Sequence, residues 1–124
     1  MSSIFTIHID VFFNLPLFRE AIKAIQDQTY QNLEIIISNN GADQEITDFI
    51  LETKKADKRV KVLTYEKNIF SYDDPLEFCD VGYNNALKIA EGKYMFRNAY
   101  DDIMALNYIE RMARLFNENT ECIT

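Results

Sequence analysis

Short apolar runs alternate along the chain with longer segments in which apolar residues return every three or four positions. Ile4 to Val11 is rich in β-branched and aromatic residues and predicts a first strand, with Ile7, Ile9 and Val11 on one face. Asn14 can cap the segment that follows and Pro16 suits its first turn. Phe18, Ala21, Ile22 and Ile25 then fall on one stripe, so a helix is expected to about Gln28. Leu33 to Ser38 is nearly continuous in apolar residues, as a central parallel strand covered on both faces should be, and is expected to stop at Asn39-Asn40-Gly41. Ile46, Phe49 and Ile50 predict a second helix and Val60 to Leu63 a third strand. Tyr65 to Pro75 holds Asn68, Ser71, Asp73 and Asp74 and reads as a loop. Leu76 to Ala90 predicts a helix with Cys79, Ala86, Leu87 and Ala90 inward and Gly92 as its stop. Lys93 to Asn98 is the expected fourth strand. Ala105 to about Asn117 is an amphipathic helix on the stripe Leu106, Ile109, Met112, Ala113 and Phe116, and Cys122-Ile123-Thr124 is the start of a fifth strand. Strand and helix in strict alternation imply an α/β domain with a mostly parallel sheet and right-handed crossovers.

Composition narrows the function more than the fold. A chain of 124 residues makes one domain, which buries roughly two thirds of its unfolded surface without help from disulfides or metal. Thirteen Lys and Arg against twenty Asp and Glu leave a net charge of −7, which argues against a grip on nucleic acid or anionic lipid. Hydrophobic residues at 48% exclude a disordered chain. No apolar run has the length of a membrane span and Met1-Ser2-Ser3 lacks the basic start of a signal peptide, so a cytoplasmic protein is expected. Cys79 and Cys122 read as reduced thiols, and His8, the single histidine, leaves no His-based zinc site.

In open parallel sheets ligands bind beyond the carboxyl ends of the strands, which directs attention to the residues after Val11, Ser38, Leu63 and Asn98. Asn39-Asn40-Gly41-Ala42-Asp43 offers two amides and loop N–H groups that suit a flat heterocycle or a ribose; an ordinary turn explains the same residues. Asn98-Ala99-Tyr100-Asp101-Asp102 sets two adjacent carboxylates at the rim. A Mg²⁺ or Mn²⁺ ion bridging to a diphosphate would relieve their repulsion, and a favourable charge at the start of the next helix accounts for Asp102 equally well. Neither G-x-G-x-x-G nor a Walker A loop occurs among only three glycines, and no Ser sits on a nucleophile elbow. Asp73, Asp74 and Glu77 read as a solvated helix start. A receiver-like signalling domain fits the length and acidity but needs its acids after the first and third strands, whereas this pair follows the fourth.

The chain resembles the amino-terminal half of family 2 glycosyltransferases. Arg19-Glu20-Ala21-Ile22 and Gln28-Thr29-Tyr30-Gln31-Asn32-Leu33-Glu34-Ile35-Ile36-Ile37 are similar to that family's first helix, Q-T-Y turn and second strand. Asn39-Asn40-Gly41-Ala42-Asp43 stands in place of a D-D-G-S-x-D loop. Gly82-Tyr83-Asn84-Asn85-Ala86-Leu87 resembles A-R-N-x-G-L with Tyr83 for its Arg, and Ala90-Glu91-Gly92-Lys93-Tyr94 resembles A-x-G-x-Y. Asp101-Asp102 matches the end of a D-x-D-D metal motif, with Ala99 for its first Asp. Leu106 to Met112 follows P-x-Y-L-E-x-M, and Asp10 and Phe13 replace a Pro and an Asn.

The resemblance implies an α/β fold of the GT-A (nucleotide-diphospho-sugar transferase) type, a mostly parallel Rossmann-like sheet with helices on both faces. Residues 1–124 would be its nucleotide-sugar-binding half, with the acceptor-binding half absent. It implies that Val11, Phe12, Asn39 and Asn40 bind the nucleotide, that Asp101 and Asp102 hold a Mn or Mg cation, and that the donor is a nucleotide-diphosphate sugar, UDP-sugars being favoured. The implied reaction moves the sugar to an acceptor hydroxyl. The general base would lie in the second half, so the isolated chain is not expected to turn over. Uncovered sheet edge makes a homodimer a further expectation. The alternative is a degenerate, non-catalytic nucleotide-sugar or protein-binding module of the same fold.

Overall fold

The computed structural model describes residues 3–65 and 77–116, the side chains of 77–80 excepted. Its elements are β1 (Phe5–Val11), α1 (Leu15–Gln26), β2 (Leu33–Asn40), α2 (Gln44–Ala56), β3 (Val60–Tyr65), α3 (Glu77–Ile89), β4 (Tyr94–Ala99) and α4 (Tyr108–Leu115). The strands form one parallel sheet in the order β3-β2-β1-β4. The chain therefore steps outward twice from β1 and then returns to its far side. Right-handed crossovers put α1 and α2 on one face and α3 on the other. The packing agrees, since Ile22, Ile25, Ile46 and Ile50 share a core with Ile7, Ile9, Ile35 and Ile37, whereas Gly82 of α3 lies against His8 and Asp10. The fold is the α/β, Rossmann-like sheet with helices on both faces that the alternation implied.

Local signals behave as their chemistry requires at the first two helices. The Asn14 side chain accepts from the Leu17 N–H at 3.3 Å with Asn14 itself left-handed (φ 67°), and Pro16 occupies the first turn. Asp43 caps α2 by accepting from the Ile46 N–H at 3.0 Å.

Three boundaries matter most where the structure differs from the sequence pattern. β2 continues past Ser38 through Asn39 and Asn40, which pair with Thr64 and Tyr65 of β3. The ladder to β3, joined at Asn39 by pairing with Val11 of β1, overrides the low strand propensity of Asn, and Tyr65 belongs to β3 rather than to a loop. The last helix starts at Tyr108, not Ala105, because the preceding carbonyls are already engaged. Ala105 accepts from Gln28 Nε2 at 2.7 Å and Leu106 from the Thr29 N–H at 2.8 Å. Leu106 consequently leaves the buried stripe and is 55% exposed, while Ile109 carries it. Leu87 is likewise exposed beside a buried Ala86. Residues 66–76, Asn117 and the expected fifth strand at Cys122-Ile123-Thr124 lie outside the described residues.

The α3 side of the sheet is polar yet buried, and a network pins it. Thr6 Oγ1 donates to Glu34 Oε1 at 2.6 Å and accepts from the Gly92 N–H at 3.0 Å. Glu34 also accepts from the Glu91 N–H at 2.8 Å and pairs with the Lys61 ammonium. Burial opposes the Glu34 carboxylate, but the bonds from Lys61, Thr6 and Glu91 together hold its pKa below the ordinary value. Thr6→Val keeps the shape and removes both bonds, so it is expected to cost about 1–2 kcal/mol in urea unfolding. An unchanged midpoint would show that the hydroxyl contributes nothing.

Candidate functional site

The chain leaves β1 toward β2 and later arrives at β4 on the other side, so the carboxyl ends of β1 and β4 flank the topological switch point where open α/β sheets bind ligands. Register places His8 beside Arg97 and Asp10 between Ser38 and Ala99. A cavity of about 300 Å³ opens there, lined by His8, Asp10, Arg97, Asn98, Ala99 and Asp102. It brings together residues from both sides of the switch.

Its inner wall is a hydrogen-bonded cluster. His8, 2% exposed, meets the Ser38 hydroxyl through Nε2 at 2.7 Å and lies 3.5 Å from Asp10 Oδ1. Burial, reinforced by the nearby Arg97 charge, pulls the His8 pKa down to about 4. Burial pushes the Asp10 carboxyl up to about 7 against the opposing pull of Arg97 and a Ser38 bond. The 3.5 Å approach is therefore a contact of neutral groups in weak acid, not an ion pair. Both nitrogen and carboxyl are held under α3, where Gly82 leaves the room: a Cβ there would stand 2.4 Å from Asp10 Oδ1. The Arg97 guanidinium carbon lies 4.5 Å from the centre of the Tyr83 ring, and that ring meets His8 edge-on at 6.1 Å.

The residues singled out from the sequence occupy the same end of the sheet but in different settings. Val11 is fully buried at the end of β1, within the core. Phe12 is half-buried, its ring tilted against that of Phe13 at 4.5 Å, and the Phe13 ring lies 4.9 Å from that of Tyr100, so three aromatic rings gather at the rim. Asn39 is 3% exposed; its Nδ2 donates to Thr47 Oγ1 at 3.0 Å and its Oδ1 accepts from the Ala42 N–H at 3.0 Å. Asn40, also buried, projects to the opposite face. Asp101 and Asp102 are exposed in the turn after β4, and Asn98 Nδ2 donates to the Asp102 carbonyl at 3.0 Å. Asp102 thus reaches the cavity and Asp101 lies beside it.

Hydrophobic periodicity and motifs do not mark the inner cluster as a site. Its signal was present as Thr6, His8 and Asp10 at every second position of an otherwise apolar strand, a polar stripe that a half-buried strand does not carry without partners.

The profile of the family described as "Glycosyl transferase family 2" matches residues 6–124. This chain belongs to glycosyl transferase family 2. An uncharacterized glycosyltransferase of Haemophilus influenzae is 33% identical over 104 residues, covering 81% of this chain and 28% of the relative. One from Rickettsia conorii is 33% identical over 100 residues, with 81% and 15% coverage. The chain thus spans under a third of the length of these relatives. Among solved structures, Staphylococcus aureus TarS superposes with a TM-score of 0.73 at 17% identity over 89% of this chain and 19% of TarS. The mannosyltransferase PcManGT of Pyrobaculum calidifontis gives 0.62 at 15% identity, with 78% and 27% coverage. At such identities the likeness shows the GT-A-type fold.

For a divalent ion, the family 2 chain offers the Asp101 and Asp102 carboxylates and no group of three or more His, Cys, Asp or Glu placed around one point among the described residues. Such a donor set suits a hard cation only if phosphate oxygens complete its shell. No helix among the described residues is long and apolar enough to cross a membrane.

Proposed function

We propose that residues 1–124 form the donor-binding part of a glycosyltransferase, taking a nucleotide-diphosphate sugar at the carboxyl ends of β1, β2 and β4 for transfer of its sugar to an acceptor hydroxyl. The observation that carries the reading is the cavity at the switch point with Asp102 in its wall and Asp101 adjacent. In this reading the carboxyl ends of β1 and β2 receive the nucleoside, with Phe12 at the rim and Val11, Asn39 and Asn40 buried beneath it. Asp101 and Asp102 hold a Mg²⁺ or Mn²⁺ ion whose shell the diphosphate completes. When bound, the ion would stabilise charge on the departing diphosphate. The proton of the acceptor hydroxyl needs a base, and that base together with the acceptor site is assigned to sequence outside this half of the domain. TarS has been solved with UDP and with UDP-GlcNAc, and PcManGT with GDP-Man and Mn²⁺, which supports a nucleotide sugar as the ligand class.

Thermal unfolding tests it. UDP with Mn²⁺ at ~100 times the dissociation constant is expected to stabilise the chain by about 2.7 kcal/mol. Asp101→Asn should abolish the Mn²⁺-dependent part and leave the unliganded melting temperature unchanged, because Asp101 is exposed. Ala99 favours a second reading, a metal-independent nucleotide-binding module, for which the UDP shift would survive chelator undiminished. No shift with millimolar UDP or GDP would defeat both.

A further inference from the structure

The two amides at the end of β2 are turned into the protein. Asn39 is 3% exposed, its Nδ2 donating to Thr47 Oγ1 and its Oδ1 accepting from the Ala42 N–H, and Asn40 is 1% exposed. Neither side chain is presented to the edge of a base lying above the sheet. Between that turn and the carboxylates of Asp101 and Asp102 the surface is aromatic instead. Phe13 is 46% exposed, and its ring centre lies 4.5 Å from that of Phe12 and 4.9 Å from that of Tyr100. The group is held in place. Tyr100 packs against the hydrophobic core, and the backbone around Phe13 is fixed by the pairing of β1 as far as Val11 and by the Asn14 cap of α1. A half-exposed ring supported by two others is a ready surface for a flat partner.

Resting on the nucleotide-sugar reading above, we propose that Phe13, backed by Tyr100, stacks the base of the donor, and that this domain accepts pyrimidine and purine nucleotides alike. The order along the rim fits one ligand: Tyr100 is followed directly by Asp101 and Asp102, so a base on the rings sends its diphosphate toward the carboxylates and their ion. Every base offers a flat face, and stacking on an aromatic ring has no donor or acceptor to match. A hydrogen-bonded edge would separate uracil from cytosine, since a carbonyl of the first accepts where the amino group of the second donates.

Titration of the 124-residue chain with UDP, CDP and GDP, each with Mn²⁺, compares the bases alone because the diphosphate is common to all three. Their affinities are expected to lie within about tenfold of one another, against the roughly ten-thousandfold discrimination of a site built to hydrogen-bond one partner. Phe13→Ala is expected to weaken all three by at least about fivefold. Phe13→Leu keeps apolar bulk without a ring and should lose as much, which separates stacking from mere burial; it decides the matter alone should Phe13→Ala fail to fold by circular dichroism. A spread wider than about tenfold overturns the tolerance for base, and a smaller loss in the folded Phe13 variants overturns the stacking role. Failure of the wild-type chain to bind any of the three instead defeats the nucleotide reading, and the assignment of Phe13 falls with it.

Discussion

Gly92→Ala is expected to lower the unfolding free energy by about 3 kcal/mol, although it adds one methyl group at a loop position. The added Cβ would stand 2.3 Å from Thr6 Oγ1, 2.6 Å from the Thr6 backbone nitrogen and 3.0 Å from the Phe5 carbonyl carbon. A hydroxyl can rotate away. The backbone of β1 cannot, because β2 and β4 hold it on both sides. Relief must come from the segment between α3 and β4, which would break the Gly92 N–H bond to Thr6 and draw the Glu91 N–H from Glu34. Gly92 is thus required by close approach and not as a left-handed helix stop, since Gly41 is the described glycine with positive φ. Gly82→Ala is the comparison: its clash at 2.4 Å is with the end of the Asp10 side chain, which can turn, so a smaller loss is expected. Urea unfolding of both variants checks the order. Equal losses would mean that the sheet yields more easily than its double pairing suggests.

A change in pH should reveal two large effects that conceal each other in the wild type. The Asp10 pKa is raised from 3.8 to about 7, so the folded state holds a proton that the unfolded state has released. Stability from this group is lost as pH rises from about 4 to about 7. The His8 pKa is lowered from 6.5 to about 4. Across that interval the unfolded state binds the extra proton, and stability rises with pH. Each alone amounts to a swing on the order of 3 kcal/mol, with opposite sign in the shared window. Asp10→Asn should therefore show stability rising from pH 4 to 6.5, and His8→Gln should show it falling from pH 4 to 7. Subtracting the wild-type profile removes the common contributions of Glu34 and Asp57, whose pKa values are lowered. Parallel profiles in all three proteins would refute the opposed protonation of the pair.

The elements that could be read from the sequence are those whose own residues carry the instruction. Ile7, Ile9 and Val11 alternate onto one face, and Phe18, Ala21, Ile22 and Ile25 recur at helical spacing, so burial follows from local pattern alone. The boundaries that moved were decided elsewhere. Asn39 and Asn40 are drawn into β2 by Thr64 and Tyr65, distant in the chain, and α4 starts late because Gln28 and Thr29 occupy the carbonyls before it. At the candidate site, acidic residues after a strand drew notice because carboxylates at a rim have recognised chemistry. Arg97 and His8 did not, because a charged or titratable residue inside a strand gains meaning only from its neighbours across the ladder, and single-sequence periodicity contains no information on pairing.

The position of β4 also orders events in time. β1, β2 and β3 are joined by successive crossovers, whereas pairing β1 with β4 closes a loop that contains all the intervening elements. Closing so long a loop costs more chain entropy and belongs to a later stage of assembly. Until then, Asp10 has no Arg97 beside it and the cleft has a single wall. The cleft is thus a product of a late docking step, and under the proposed function a nucleotide that spans β1 and β4 is expected to slow unfolding far more than it speeds folding.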